Sequence, residues 1–159
     1  MKKIELLFDH VDGLSQLYLF DVAGLIRIDR SATDGTVRPV FREGCNIYKV
    51  SVSDGFSYAE NMLHDDSGEA YDVQIQGFIP RIGQTFTIQQ LEVGAWLAVI
   101  QDANGDVLLC GSQEVPLSFE GNKGTGTGRN GTAFTLKGVQ PLPSAIIAQT
   151  EVAVLLPAE

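Results

Sequence analysis

A chain of 159 residues with 44% hydrophobic and 19% charged residues has the length and composition of one ordinary domain with its own core, which excludes a disordered polymer. Its 11 basic and 20 acidic residues give a formal net charge of −9, a balance that argues against gripping phosphate, so no specific nucleic-acid binding is expected. The 17 glycines scattered among short β-branched runs predict many turns and a single, mostly β domain over residues 1–159, a β-sandwich or β-barrel with one short helix.

Met1-Lys2-Lys3 opens as an export signal would, but Glu5, Asp9 and Asp12 break the apolar run, so the protein is expected to begin in the cytoplasm. Leu17-Tyr18-Leu19-Phe20 and Leu25-Ile26-Arg27-Ile28 read as two short strands parted by Gly24. Residues 29–44, with Gly35 and Pro39, are too polar for core and are expected to form a long loop or arm. Alternation returns at 46–53, where Tyr48, Val50 and Val52 share one face and Lys49 and Ser51 the other, before a turn at Asp54-Gly55. Residues 56–64 and 69–79 then read as a hairpin closed by Asp65-Asp66-Ser67-Gly68. Its returning strand puts Tyr71, Val73, Ile75 and Gly77 on one face and Asp72, Gln74 and Gln76 on a polar one.

The one helix expected spans 86–93, where Phe86, Gln89, Gln90 and Val93 recur at helical spacing and Gly94 supplies a stop. Residues 95–101 read as a buried strand, with Trp96 in the core rather than on a binding platform. Asn104-Gly105 predicts a two-residue type I′ turn, because both central positions of that turn need positive φ, and 106–110 return from it. Strands at 115–119, 132–136 and 145–155 complete the pattern, with a Gly-rich surface loop at 121–131. The apolar stretch 145–157 is interrupted by Gln149, Thr150 and Glu151 and is too short to span a bilayer, so no membrane partner is expected.

Cys45 and Cys110 lie far apart among small or apolar neighbours, which favours buried free thiols over a disulfide or a metal pair. Gly126, Gly128 and Gly131 match the spacing GxGxxG, but that fingerprint needs a helix N-terminus to follow, and Thr132-Ala133-Phe134-Thr135-Leu136 is a strand pattern. Asp102-Ala103-Asn104-Gly105-Asp106 opens like a calcium loop, yet its sixth and twelfth positions are Val107 and Gln113 where glycine and glutamate are required. His10 and His64 lack metal-ligand spacing. His64 beside Asp65 and Asp66 offers a catalytic pair, but no serine elbow accompanies it, since Gly13-Leu14-Ser15 lacks the second glycine. No catalytic residue, cofactor or metal is expected, and the chain reads as a non-enzyme.

Charge is segregated along the chain. Between positions 54 and 121 Arg81 is the only basic residue, among Glu60, Asp65, Asp66, Glu69, Asp72, Glu92 and further acids. Arg27, Arg30, Arg38, Arg42 and Lys49 precede this block, and Lys123, Arg129 and Lys137 follow it. Such a block serves either as a solvated face or as a surface that repels phosphate.

Four segments follow one another in a particular order: Gly13-Leu14-Ser15-Gln16-Leu17-Tyr18-Leu19, the acidic hairpin at 61–79, residues 96–111 with Asp102-Ala103-Asn104-Gly105, and residues 124–138 with Arg129-Asn130-Gly131. That order resembles a family of small proteins encoded in phages and prophages of Bacteroidetes. The resemblance implies a tail or other virion structural component. Similarity to tail-tube subunits implies a β-barrel or β-sandwich that assembles into rings, with copies of itself and other virion proteins as partners. It would reside in the host cytoplasm during assembly and then in the virion. Residues 29–44 and those beyond 143 fall outside the resemblance, and no catalytic assignment comes with it.

A tube that passes DNA needs a lumen that does not hold phosphate. The polar face of the 56–79 hairpin, carrying Glu60 and Asp72, is the candidate lining. The apolar strand containing Ile146, Ile147, Val152 and Val154 is expected either to complete a neighbour's sheet as a subunit contact or to pair within its own. The alternative function is a non-catalytic β-sandwich binding module for carbohydrate or peptide, which would need Phe56, Tyr58 and Tyr71 exposed beside a groove.

Overall fold

In the computed structural model, which describes residues 14–50, 56–80, 85–124 and 131–155, the chain forms strands β1 (Leu14–Asp21), β2 (Leu25–Arg30), β3 (Val37–Phe41), β4 (Ile47–Val50), β5 (Ser57–Asp65) and β6 (Gly68–Pro80). Helix α1 (Thr85–Val93) follows, then β7 (Trp96–Asp102), β8 (Val107–Cys110), β9 (Ser118–Gly124), β10 (Gly131–Gln140), β11 (Ala145–Ile146) and helix α2 (Gln149–Leu155). A central sheet has the order β11-β8-β7-β1-β4, a second sheet the order β5-β6-β10-β9, and β2-β3 form a separate ribbon. The fold is mostly β and sandwich-like, its sheets open rather than closed into a barrel, with two short helices where the sequence predicts one.

The central sheet is covered on both faces, and the side chains divide between two cores with period two. On β1, Leu17 and Leu19 enter the core shared with the four-stranded sheet, while Tyr18 and Phe20 enter a second core beneath the ribbon and α2. On β7, Trp96, Ala98 and Ile100 face the first core, Leu97 and Val99 the second. Strands with no solvent face read as continuous apolar runs, which is why both were visible in the sequence. The four-stranded sheet alternates instead. Val73, Ile75, Phe119, Phe134 and Leu136 point inward, where Phe119 stacks on Phe134 at 5.1 Å and Phe56 meets the same ring edge-on at 5.4 Å.

Helix α1 closes one end of the first core through Ile88 and Leu91. This is not the predicted face: Gln89 and Gln90 are exposed, Val93 is 88% exposed, and the Phe86 side chain lies outside the described residues. The buried Trp96 indole donates its Nε1–H to the Leu91 carbonyl at 2.7 Å, which also accepts the Gly94 N–H at 3.4 Å, so the end of the helix is capped by both. A Cβ on Gly94 would lie 2.5 Å from that indole, so the helix stop also has to be a residue without a side chain.

The second core corrects two expectations. Residues 29–44 are not a loop or arm throughout, because β2 runs on to Arg30 and β3 pairs back along it from Leu25↔Phe41 to Arg30↔Val37. Val37 is buried and Phe41 stacks on Phe20 at 4.5 Å, while Arg38 points to solvent. Pro39 is tolerated because, among the described residues, this ribbon strand pairs at its position with β2 alone, opposite Ile28. Nor is 145–155 a strand. Pairing lasts only through Ala145 and Ile146, and Ile147 then bridges to Val37 and donates its N–H to the Val107 carbonyl at 2.9 Å. From there the chain is helical: the Glu151 and Val152 amides donate to the Ala148 carbonyl, and Val152 and Leu155 reach the second core together. Helical spacing lets those two share a face, and packing outweighs the β-branched composition.

The β7–β8 connection is a hairpin, but a wider one than predicted. Gly105 N–H donates to the Asp102 carbonyl at 3.2 Å and Asp102 N–H to the Asp106 carbonyl at 3.0 Å, with Gly105 at φ +95°. That is a three-residue turn with its glycine in the left-handed region, not a two-residue type I′ turn. Among the described residues, no helix is long and apolar enough to cross a membrane.

One inward position of β10 is polar. Thr132 is 1% exposed, and its Oγ1 has no hydrogen-bond partner among the described residues. Replacing a buried, unpartnered hydroxyl by a methyl of the same shape removes a desolvation penalty of about 1–3 kcal/mol. Thr132→Val is therefore expected to stabilise the protein by roughly 1 kcal/mol in urea denaturation, and a loss of stability would show that the hydroxyl is bonded.

Candidate interaction surfaces

The β5–β6 hairpin is antiparallel and in register from Ser57↔Gln76 to Asp65↔Gly68. β10 accompanies β6 only as far as Tyr71↔Gln140, so the last rungs, from Leu63↔Ala70 to the turn, stand clear of the sheet as a two-stranded ribbon. Leu63 is exposed there, beside Asp65, Asp66 and Glu69, and Met62 is exposed on the rung before it, opposite Tyr71. Ser67 donates through its amide and its hydroxyl to Asp65 Oδ1, and these bonds hold the Asp65 carboxyl below its ordinary range. The tip therefore keeps its negative charge. His64 is 74% exposed at this tip, 3.9 Å from Glu69, an open position rather than a converging pocket.

The register separates the two residues expected to line one face. Asp72 pairs with Asn61 and Val139 on the outer face of the sheet, whereas Glu60 pairs with Val73, whose side chain is fully buried on the inner face. Glu60 accepts the Ser144 N–H at 2.7 Å. Around it, Ser144 donates its hydroxyl to Cys110 Sγ at 3.5 Å, Gln140 Nε2 donates to Ser144 Oγ at 3.2 Å, and the Gly111 N–H donates to Gln140 Oε1 at 2.7 Å. These bonds tie the end of β10 and the chain after it to β5 on one sheet and β8 on the other. Burial pushes the Cys110 thiol up to about 12, against a lowering by the Ser144 bond, and burial likewise raises the neighbouring Tyr58 phenol. Both groups are protonated at neutral pH, so the cluster acts as an inter-sheet lock and offers no thiolate nucleophile.

A second surface lies on the opposite layer. A cavity of about 430 Å³ opens between β3, the 42–47 connection and α2, with Phe20, Phe41 and Leu155 on its apolar floor. Its rim carries Arg27, Arg38 and Arg42 against one carboxylate, Glu151. Arg27 and Arg38 both reach Asp29, at 3.0 and 3.3 Å, and Arg38 lies 4.0 Å from Glu151. The Arg27 hydrogen bond, with Arg38 adding to it, keeps the Asp29 carboxyl below its usual range. Both arginines stay about half exposed, so these pairs leave their charge open to a partner. Cys45 lines the cavity as a free thiol, raised by partial burial, and Ile47 and Val154 are exposed beside it.

The predicted contact residues are thus dispersed. Ile147 is fully buried, Val152 packs on the second core, Ile146 is half exposed on a two-residue strand, and only Val154 reaches the groove. Phe56 is buried and Tyr58 and Tyr71 are half-buried, so no exposed aromatic strip forms. Asp102 Oδ1 accepts the Asn104 and Asp106 amides, both at 2.9 Å, which spends the calcium-like carboxylate on the turn. Gly131 begins strand β10 rather than a helix, while Gly126 and Gly128 lie outside the described residues, as does His10. Among the described residues no group of three His, Cys, Asp or Glu side chains is placed to hold a metal. Comparisons with known protein families, characterised proteins and solved structures return no match for this chain.

The lock has a pH signature. Because the folded pKa of Cys110 lies above the ordinary value of 9.0, its contribution to stability is complete below that pH. It is lost as pH rises toward about 12, where the unfolded thiol ionises and the native one does not. Between those limits the native protein is expected to lose up to about tenfold in its folding equilibrium per pH unit from this group. Urea titrations at successive pH values should show a shallower decline for Cys110→Ala, and equal slopes would remove the thiol from the account.

Proposed function

We propose that the chain is a non-catalytic, self-assembling structural subunit of a phage or prophage tail, tail-tube-like, whose copies join into rings and meet other virion proteins. It would assemble in the host cytoplasm and end in the virion. The observation that carries the reading is β5, a nine-residue edge strand with no proline, lysine or register shift and with Met62 and Leu63 exposed on it. Edges of this kind are blunted in proteins that stay alone, and an edge left open with apolar side chains is a surface for another chain.

The outer face of the four-stranded sheet supports the tube-like version. Ser118, Asn122, Gln74, Gln76 and Thr135 lie on it, and its basic residue, Lys137, is paired with Glu120 at 2.9 Å. Asp72 then supplies the uncompensated charge, so this face has little to hold a phosphate. Asp72 remains the lining candidate, and Glu60, bound to Ser144, leaves it.

Light scattering over a wide concentration range, with electron micrographs of the largest species, should find rings or tubes. A strictly monomeric protein at millimolar concentration would refute the reading. In assembled material, Asp72→Lys with Glu120→Lys should create DNA retention that falls steeply with salt, and retention unchanged from the parent protein would take this face out of the lumen.

A second reading rests on a shallow depression of about 690 Å³ on the same outer face, lined by Gln76, Phe78, Glu120, Asn122 and Thr135 among others. An aromatic ring among amides and a carboxylate suits a carbohydrate or peptide ligand. Saturable binding of an oligosaccharide by a monomer, lost in Asn122→Ala, would favour that binding module instead.

A further inference from the structure

We infer that the hairpin tip of one copy docks into the arginine-rimmed groove of the next. The inference rests on the self-assembly just proposed and names its interface. Charge matches first: Asp65, Asp66 and Glu69 at the tip complement a rim where Arg27, Arg38 and Arg42 outnumber Glu151 together with Asp29, which pairs with two of them. Apolar surface matches next. Met62, 60% exposed, and Leu63 stand on the hairpin, and Ile47 and Val154, 82% exposed, flank a groove of about 430 Å³ with an aromatic floor. A rim that keeps an excess of positive charge after its ion pairs with Asp29 and Glu151 is notable in a chain of net charge −9, where many other stretches would repel the tip.

Topology excludes the same-chain contact. The hairpin belongs to the four-stranded sheet and the groove to the ribbon and α2, and the central sheet lies between those layers. A tip therefore fills a groove only on another molecule. The contact joins two different patches, so it is heterologous, and repetition of one such contact closes a ring or extends a filament.

Two charge variants test it. Asp66→Lys with Glu69→Lys makes the tip positive, and Arg38→Glu with Arg42→Glu makes the groove negative. Each variant alone should need at least about tenfold more protein for half-assembly, because close charge pairs across an interface couple strongly. An equimolar mixture should recover assembly, since each tip then meets a groove of opposite sign in alternating order. Recovery also shows that both variants are folded. In a parallel experiment, a Met62→Cys copy treated with a short bis-maleimide should give a ladder of linked oligomers through the groove's Cys45, and Cys45→Ala should stop the ladder at dimers.

If the parent protein assembles while both variants assemble as readily, or if the mixture stays unassembled and no ladder forms, the hairpin–groove contact is overturned and the structural-subunit reading stands. A parent protein that remains monomeric at every concentration overturns both. A groove that instead binds a small anion, with assembly insensitive to either charge reversal, assigns the pocket to a ligand and likewise removes the contact.

Discussion

Two-sided burial of β1 and β7 is the constraint from which the other layers follow. A sheet with Leu17, Leu19, Ala98 and Ile100 on one face and Tyr18, Phe20, Leu97 and Val99 on the other has no side to give to water. Each fully buried large apolar side chain contributes about 1.5–3 kcal/mol, so leaving either face bare would cost an amount comparable with the net stability of a typical domain. One cover is the four-stranded sheet. The other has to be assembled from what remains, and the chain recruits a polar hairpin and its C-terminal segment for it. Ile147 shows the economy of the arrangement: it touches β3, bonds to β8 and is fully buried between them.

That requirement also explains which features were legible in the sequence. Runs that are apolar on both faces, such as 17–20 and 96–100, announce themselves without a partner being known. The 57–80 hairpin announces itself through alternation on either side of a turn cluster. By contrast, β3 is masked by Arg38 within it, Arg42 after it and the polar turn before it, although Val37, Pro39 and Phe41 do alternate. The C-terminal segment misleads in the opposite sense, since its β-branched residues favour a strand and only contact with the second core selects the helix. Neither error is one of composition. Each concerns a layer whose shape is dictated by the sheet it covers, and that information is not local.

The candidate sites fail to read from sequence for a related reason. Glu60 and Asp72 share a hairpin, but which face each occupies depends on the pairing register, and a shift of one residue reverses the answer. The observed register sets Glu60 beside Val73 and sends it to the Ser144 amide. A carboxylate that would have been one more surface charge becomes part of the lock between sheets. The groove is assembled from β2, β3, the connection to β4, and α2, so no contiguous motif marks it. Its one trace in the sequence is the early cluster of arginines, conspicuous against an acidic chain.

The same fold that satisfies its interior leaves two surfaces incomplete, and their placement has a geometric consequence. Covering both faces of the central sheet puts the unfinished hairpin in one outer layer and the unfinished groove in the other. If the two patches are complementary, a two-fold dimer would have to bring both of them against one neighbour, which their placement on opposite layers disfavours. The proposed contact would instead pass from copy to copy. In a closed ring, every copy then presents the same sheet face toward the axis. For the four-stranded sheet, that face carries Ser118, Asn122, Gln74, Gln76 and Thr135 beside Phe78 and Val139, an internally paired Lys137, and Asp72, which accepts a hydrogen bond from Gln74 Nε2 at 3.4 Å. On the proposed reading, one layer order would serve both assembly and a surface indifferent to DNA, because the hairpin tip and the groove lie off the outer face of the four-stranded sheet.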